Sequence, residues 1–168
     1  LLIAIAVGTG IGISALTSRR FGEKNTEAIN HIAGQIFPIS GVFGSIFLTV
    51  AVFFPHTILN ILGATPDIMD YATQYLVIIG FGFPFLIFSI TANELLRGSG
   101  DALRPMIFMV IASVTNIILD PFLIFGIGPF PEMGVRGAAL ATVIAQLLGT
   151  GLSFWYIVAH KSVYRIKL

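Results

Sequence analysis

The chain has 168 residues, 56% hydrophobic and only 10% charged, with a net charge of +1 at pH 7 and a mean hydropathy of +0.95. A soluble domain carries about 25% charged residues, so too little polar surface is available for a water-soluble globule, and a membrane protein is expected. The near-neutral charge argues against a basic nucleic-acid surface, and a chain without cysteine has no disulfide framework or thiolate zinc centre.

The chain opens on Leu1 inside an apolar run with no basic segment before it. It is therefore expected to be part of a longer protein rather than to begin with a signal peptide. Charged residues then divide it into blocks. A spanning helix needs roughly 20 apolar residues, and the first block, about 1–18, ends at Arg19 and Arg20. Next comes a stretch without Asp, Glu, Lys or Arg from Ala28 to Pro66. It is longer than one span needs, and its tail "FPHTILNILGATPD" contains Pro55, Gly63 and Pro66. We expect a span at about 30–54, then a short interfacial helix whose Ile58, Leu59, Ile61 and Leu62 face lipid or protein. Three more spans are expected at about 71–95, 104–127 and 136–160. The expected fold class is all-α integral membrane: five transmembrane helices plus a short outer interfacial helix.

Basic residues orient these spans. With alternating crossings, one side receives Arg19, Arg20, Lys24, Arg97, Arg104, Lys161, Arg165 and Lys167, and the other only Arg136. Such an asymmetry places segments 19–29, 97–104 and 161–168 in the cytoplasm of a multi-pass plasma-membrane protein. Glycines and prolines recur within the spans, at Gly8, Gly10 and Gly12, at Gly34, Pro38, Gly41 and Gly44, and at Gly80, Gly82 and Pro84. Close helix packing explains most of them, with Pro38 and Pro84 as candidate hinges.

The fourth span poses the chemical question. In "SVTNIILDPFLIFGIG" a single aspartate stands inside hydrocarbon, at about 2.5–3.5 kcal/mol on insertion scales. Ser113, Asn116 and Asp120 are spaced i, i+3 and i+7, one face of a helix. Asp120 lies about 12 Å from the outer end at 1.5 Å per residue, and Thr142 on the fifth span about 9 Å in. If the two spans are antiparallel neighbours, Asn116, Asp120 and Thr142 meet in the outer half of the membrane, with Gln146 one turn deeper. An aspartate with neutral oxygens beside it suits a proton or a small cation such as Na+. The structural alternative is an Asp that steadies a turn before Pro121.

Other polar residues have plainer readings. Glu94 is expected to pair with Arg97 at the inner interface. His31, His56 and His160 lack metal-ligand spacing, and Trp155, Tyr156 and Tyr164 fit an inner aromatic belt. "GTGIG" at 8–12 has no preceding strand and is not a nucleotide loop.

"RGSGDALRP" (97–105), "TNIILDPFLIFG" (115–126) and "GVRGAALATVIAQ" (134–146) resemble the multidrug and toxic compound extrusion (MATE) transporters, as do "SALTSRRFGEKN" (14–25) and "ILGATPDIMDYATQYL" (61–76). The resemblance runs in order along essentially the whole chain. It implies helices two to six of a six-helix amino-terminal lobe, with the first helix and the second lobe of the parent outside these 168 residues. It also implies a secondary antiporter that exports cationic or amphipathic drug-like compounds in exchange for Na+ or H+, without a cofactor and without an enzymatic reaction. In the family branch with a cation site in this lobe, an Asn and an Asp four apart on the fifth helix and a Thr on the sixth supply ligands; the matching residues are Asn116, Asp120 and Thr142. Ser113 and Gln146 add polar lining. Partners are then the substrate, the lipid bilayer and the rest of the parent chain, not nucleic acid. Two alternatives stay open. A lipid-linked oligosaccharide flippase of the same superfamily should carry more basic residues within its spans, and a non-transporting scaffold should tolerate loss of Asp120.

Overall fold

The computed structural model describes residues 2–159, the side chains of residues 2, 3 and 5 excepted. The expectations for His160, Lys161, Tyr164, Arg165 and Lys167 lie outside the described residues. Six helices follow one another: α1 Leu2–Gly22, α2 Thr26–Phe53, α3 Pro55–Ile61, α4 Pro66–Gly98, α5 Leu103–Phe125 and α6 Val135–Val158. Four of them, α2, α4, α5 and α6, are long and apolar enough to cross a membrane. Helix α1 has 21 residues and ends in Arg19 and Arg20.

Local chemistry sets the boundaries. Asn25 caps α2, its side chain accepting from the Ala28 N–H at 3.0 Å. Pro55 and Pro66 open α3 and α4, where a missing N–H is no loss. Helix α4 starts five residues before the expected span. At 33 residues it is about 50 Å long against a hydrocarbon core of about 30 Å, so its first turns, with Asp67 and Asp70, extend beyond the apolar layer. Helix α5 continues past Asp120 and Pro121 to Phe125, so no turn precedes Pro121. It stops at Gly126, whose φ of +67° is the left-handed cap conformation that favours glycine.

Helix α4 is the hub, packed against α1, α2 and α6, while α5 leans almost wholly on α6. The core joins Ile29, Ile32 and Ile36 of α2 to Ala92, Leu95 and Leu96 of α4 and to Tyr156 and Ile157 of α6. Small residues permit the closest crossings. A side chain at Gly44 would strike the Pro84 ring, and one at Gly98 would meet the Ser14 carbonyl of α1 at 2.6 Å. Outward, large apolar residues such as Ile11, Phe53 and Ile117 stand exposed. Such a belt suits lipid, not water.

Tyr156 departs from the expected aromatic belt. Only 5% of it is exposed; its hydroxyl donates to Asp101 at 3.3 Å. The Arg104 guanidinium lies 4.7 Å over the same ring and donates to Asp101 at 2.6 Å. This cluster ties the α4–α5 connection to the end of α6. Trp155, by contrast, is 54% exposed. At the α1–α2 corner Arg20 and Arg19 donate to Glu23 and hold its carboxyl below the usual range.

Candidate cation site and its cavity

Helices α5 and α6 form an antiparallel hairpin that is tightly closed at the loop joining them. Met133 N–H donates to the Leu123 carbonyl and Gly134 N–H to that of Ile124, both at 3.1 Å. Any side chain at Gly137 would collide with the Leu123–Ile124 peptide. This contact registers one helix against the other, and the register brings three polar side chains together below it.

Asn116 is their centre. Its Nδ2 donates to Asp120 Oδ1 on the next turn and across the seam to Thr142 Oγ1, each at 3.4 Å. Thr142 in turn donates to the Ala138 carbonyl at 3.0 Å, leaving its oxygen turned toward Asn116. All three side chains are partly buried. The expected trio therefore meets across two helices, with the Asp120 and Thr142 oxygens both accepting from the Asn116 amide nitrogen. Among the described residues no three His, Asp or Glu side chains gather as a metal site. One carboxylate with neutral oxygens beside it is a donor set that suits a proton or a small cation.

Ser113, Asn116, Thr142 and Gln146 line a cavity of about 510 Å³ between α1, α4, α5 and α6, while Asp120 lies just outside the lining. Gln146 Oε1 is buried there without a hydrogen-bond partner. It points at Gly82, where a Cβ would collide with it. The same cavity is lined from α4 by Ser89, Asn93, Glu94 and Arg97, of which the sequence pattern singles out only the charged pair. Ser89, Asn93 and Arg97 are spaced four apart, a polar stripe that marks one helical face. Asn93 is buried and accepts from Ser153 of α6 at 3.2 Å.

Glu94 and Arg97 do pair, at 2.9 Å, in the last turns of α4. Glu94 packs against Gly10 of α1, nine residues before Arg19.

The family model described as MatE matches residues 1–122. The chain is 30% identical over 166 residues to a protein of Shewanella oneidensis named FAD transporter, covering 98% of this chain and 37% of that one. Among solved structures, it superposes on the inward-facing conformation of a multidrug resistance MATE family transporter with a TM-score of 0.89 at 28% identity, over 99% of this chain and 37% of that one. It superposes on an outward-facing conformation of such a transporter almost as well, with a TM-score of 0.87 at 28% identity, over 98% of this chain and 36% of that one. The chain thus spans somewhat more than a third of the length of the relatives it matches.

Proposed function

Since the chain belongs to the MatE family, whose members are membrane transporters and not enzymes, we propose that it is most of the amino-terminal lobe of a secondary antiporter. The transporter exports cationic or amphipathic organic compounds in exchange for Na+ or H+. Under this reading α1 is a fifth span, α3 lies at the outer interface, and the Arg19–Lys24 and Arg97–Arg104 segments are cytoplasmic. The lobe is completed by a preceding helix, and a second lobe faces it.

The observation that carries the reading is the Asn116–Asp120–Thr142 cluster. An intramembrane carboxylate faces partners or water and serves an ion or proton pathway by default. Here the amide nitrogen of Asn116 stands where a cation would, satisfying the Asp120 and Thr142 oxygens. Rotating that amide presents its Oδ1 instead, so the two helices can offer three oxygens to one Na+, or a proton can neutralise Asp120 directly. Either event removes an uncompensated charge between α5 and α6. A cation drives the change between inward- and outward-facing states only to the extent that it binds one of them better. The near-equal superposition on both states supports this lobe moving largely as a body.

The scaffold alternative gains nothing from so convergent a cluster. The flippase alternative asks for a free intramembrane cation, and Arg97, the basic residue that lines the cavity, is engaged by Glu94.

The test is gradient-driven efflux by the full-length protein in vesicles, with a fluorescent cationic dye and FAD as separate cargoes, under imposed Na+ or pH gradients. Asp120→Asn should abolish driven dye efflux at undiminished protein level, and the effective gradient names the ion. Unchanged efflux would make Asp120 structural and remove the coupling role.

A further inference from the structure

Helices α2 and α6 both pack on α4, yet their backbones do not approach each other closely. The gap between them is a groove of about 380 Å³, floored by Pro84 and Phe88 of α4 and walled by Phe37 and Gly41 of α2 and by Leu147 and Gly151 of α6. It has no part in the cation cluster. Asn93 and Thr142 line the cavity on the cluster's side. Pro84 stands nine residues from Asn93 on α4, and Gly151 nine from Thr142 on α6. Nine residues are about two and a half turns, so the groove occupies the opposite face of both helices.

Depth, chemistry and width decide what fits there. Pro84 lies fourteen residues before Gly98, about 21 Å along the helix, deep within a hydrocarbon core of about 30 Å. At that depth a bilayer supplies acyl chain and nothing else. The hydroxyls of the lining are already engaged: Thr150 donates to the Phe85 carbonyl at 2.8 Å, and Ser40 shares a hydrogen bond with Thr91 at 3.5 Å. An occupant therefore gains apolar contact rather than polar recognition. On the side nearer the basic helix ends, Phe37 and Phe154 meet across the gap edge to face, their ring centroids 5.9 Å apart, with Phe88 against both. Walls held at ring contact leave width for a single hydrocarbon chain, not for another helix about 10 Å across. Gly41 and Gly151 keep the space clear, since a Cβ at either meets nothing within 4 Å.

We propose that this groove is a lipid site, in which the terminal part of one phospholipid acyl chain lies between α2 and α6 with the Phe37–Phe154 pair as its end stop. Within a membrane, helices are held together by packing rather than by a hydrophobic driving force. Atoms lining an unfilled gap lose their contacts on that side. The lodged chain supplies them and extends the α2–α6 contact that Phe37 and Phe154 begin, so the lipid stabilises the lobe as a packing partner. The site is independent of any coupling at Asn116, Asp120 and Thr142.

The test places the full-length protein in vesicles of phosphatidylethanolamine and phosphatidylglycerol, with a small fraction of the phosphatidylethanolamine carrying a diazirine at the end of one chain. After irradiation, mass spectrometry of the peptides should find adducts at Phe37, Gly41 and Leu147. Gly151→Leu fills the groove from the α6 wall without a clash. It should lower those adducts several-fold and leave labelling of the exposed belt at Ile11, Phe53 and Ile117 as it was. In detergent, adding the same phospholipids to delipidated wild type should raise its Tm, because a ligand of the folded state stabilises by mass action. Gly151→Leu should start at or above the wild-type Tm and gain less. Gly41→Leu fills the groove from the α2 wall and keeps the test decisive if Gly151→Leu starts lower. Groove residues free of adducts in the wild type would mean that protein fills the gap, from the second lobe or a second copy, and would overturn the lipid site. Adducts and a Tm gain undiminished in both filled variants would identify ordinary boundary lipid and overturn it equally.

Discussion

Gly137→Ala tests whether the α5–α6 contact sets the geometry of the Asn116–Asp120–Thr142 cluster. An added Cβ would lie 2.5 Å from the Leu123 carbonyl carbon and 2.9 Å from Ile124 N. An ordinary van der Waals contact begins near 3.4 Å, so the seam must open by roughly 1 Å. Both obstacles are backbone and cannot swing aside as the tip of a side chain would. Overpacking of this kind costs about 1–3 kcal/mol, and the Met133–Leu123 and Gly134–Ile124 bonds that would stretch are worth about 1 kcal/mol each. The expected loss is therefore about 3–5 kcal/mol. The same opening carries Asn116 and Thr142 from 3.4 Å to beyond hydrogen-bond range. Gly151→Ala is the control: nothing lies within 4 Å of its added Cβ, and alanine in a helix interior gains about 0.5–1 kcal/mol over glycine. Thermal unfolding of purified protein in detergent should show a clearly lowered Tm for Gly137→Ala and none for Gly151→Ala. Cation-driven efflux should fall in the first at temperatures where the protein is still folded. Equal Tm values for the two variants would refute the packing argument, and a lowered Tm with full coupling would detach the seam from the site.

Further expectations concern single groups. Thr142→Val keeps the shape but removes the hydroxyl that accepts from Asn116; cation affinity measured by equilibrium binding should drop several-fold, and Thr142→Ser should restore most of it. Tyr156→Phe removes the hydrogen bond to Asp101 while keeping a ring under Arg104. The loss should be about 1 kcal/mol, read as a small Tm decrease and faster proteolysis within residues 99–102. Glu23, held low by hydrogen bonds from Arg20 and then Arg19, should titrate below the ordinary 4.5. Its contribution is present above that value and lost as pH falls through the lowered folded-state pKa, which a carboxyl-resolved NMR titration checks. Gly82→Ala should push Gln146 out of its position against α4. Transport should then change more than it does in Gly12→Ala, where a Cβ meets nothing.

Much of this architecture was legible because hydrocarbon is an unforgiving solvent. Every backbone group must be satisfied within its own segment, so apolar runs of the right length between charges read directly as helices, and Pro55, Pro66 and Gly126 mark their ends. Spacing alone placed Ser113, Asn116 and Asp120 on one face, and depth counting brought Thr142 to the same level. What one dimension could not show is what depends on contacts between helices. The i, i+3 spacing of Glu94 and Arg97 foretold their pairing, but not that Glu94 packs beside Gly10 of α1. Tyr156 reads as an interfacial aromatic until Asp101, from another helix junction, captures its hydroxyl. Asn93 and Ser89 look like isolated polar residues until α5 and α6 close a cavity around them. Local propensity and hydrophobicity are sums along the chain, whereas burial, partner and access are properties of the packing. The register at Gly137 and Leu123, set by the absence of a single methyl group, decides whether three ordinary side chains become a site.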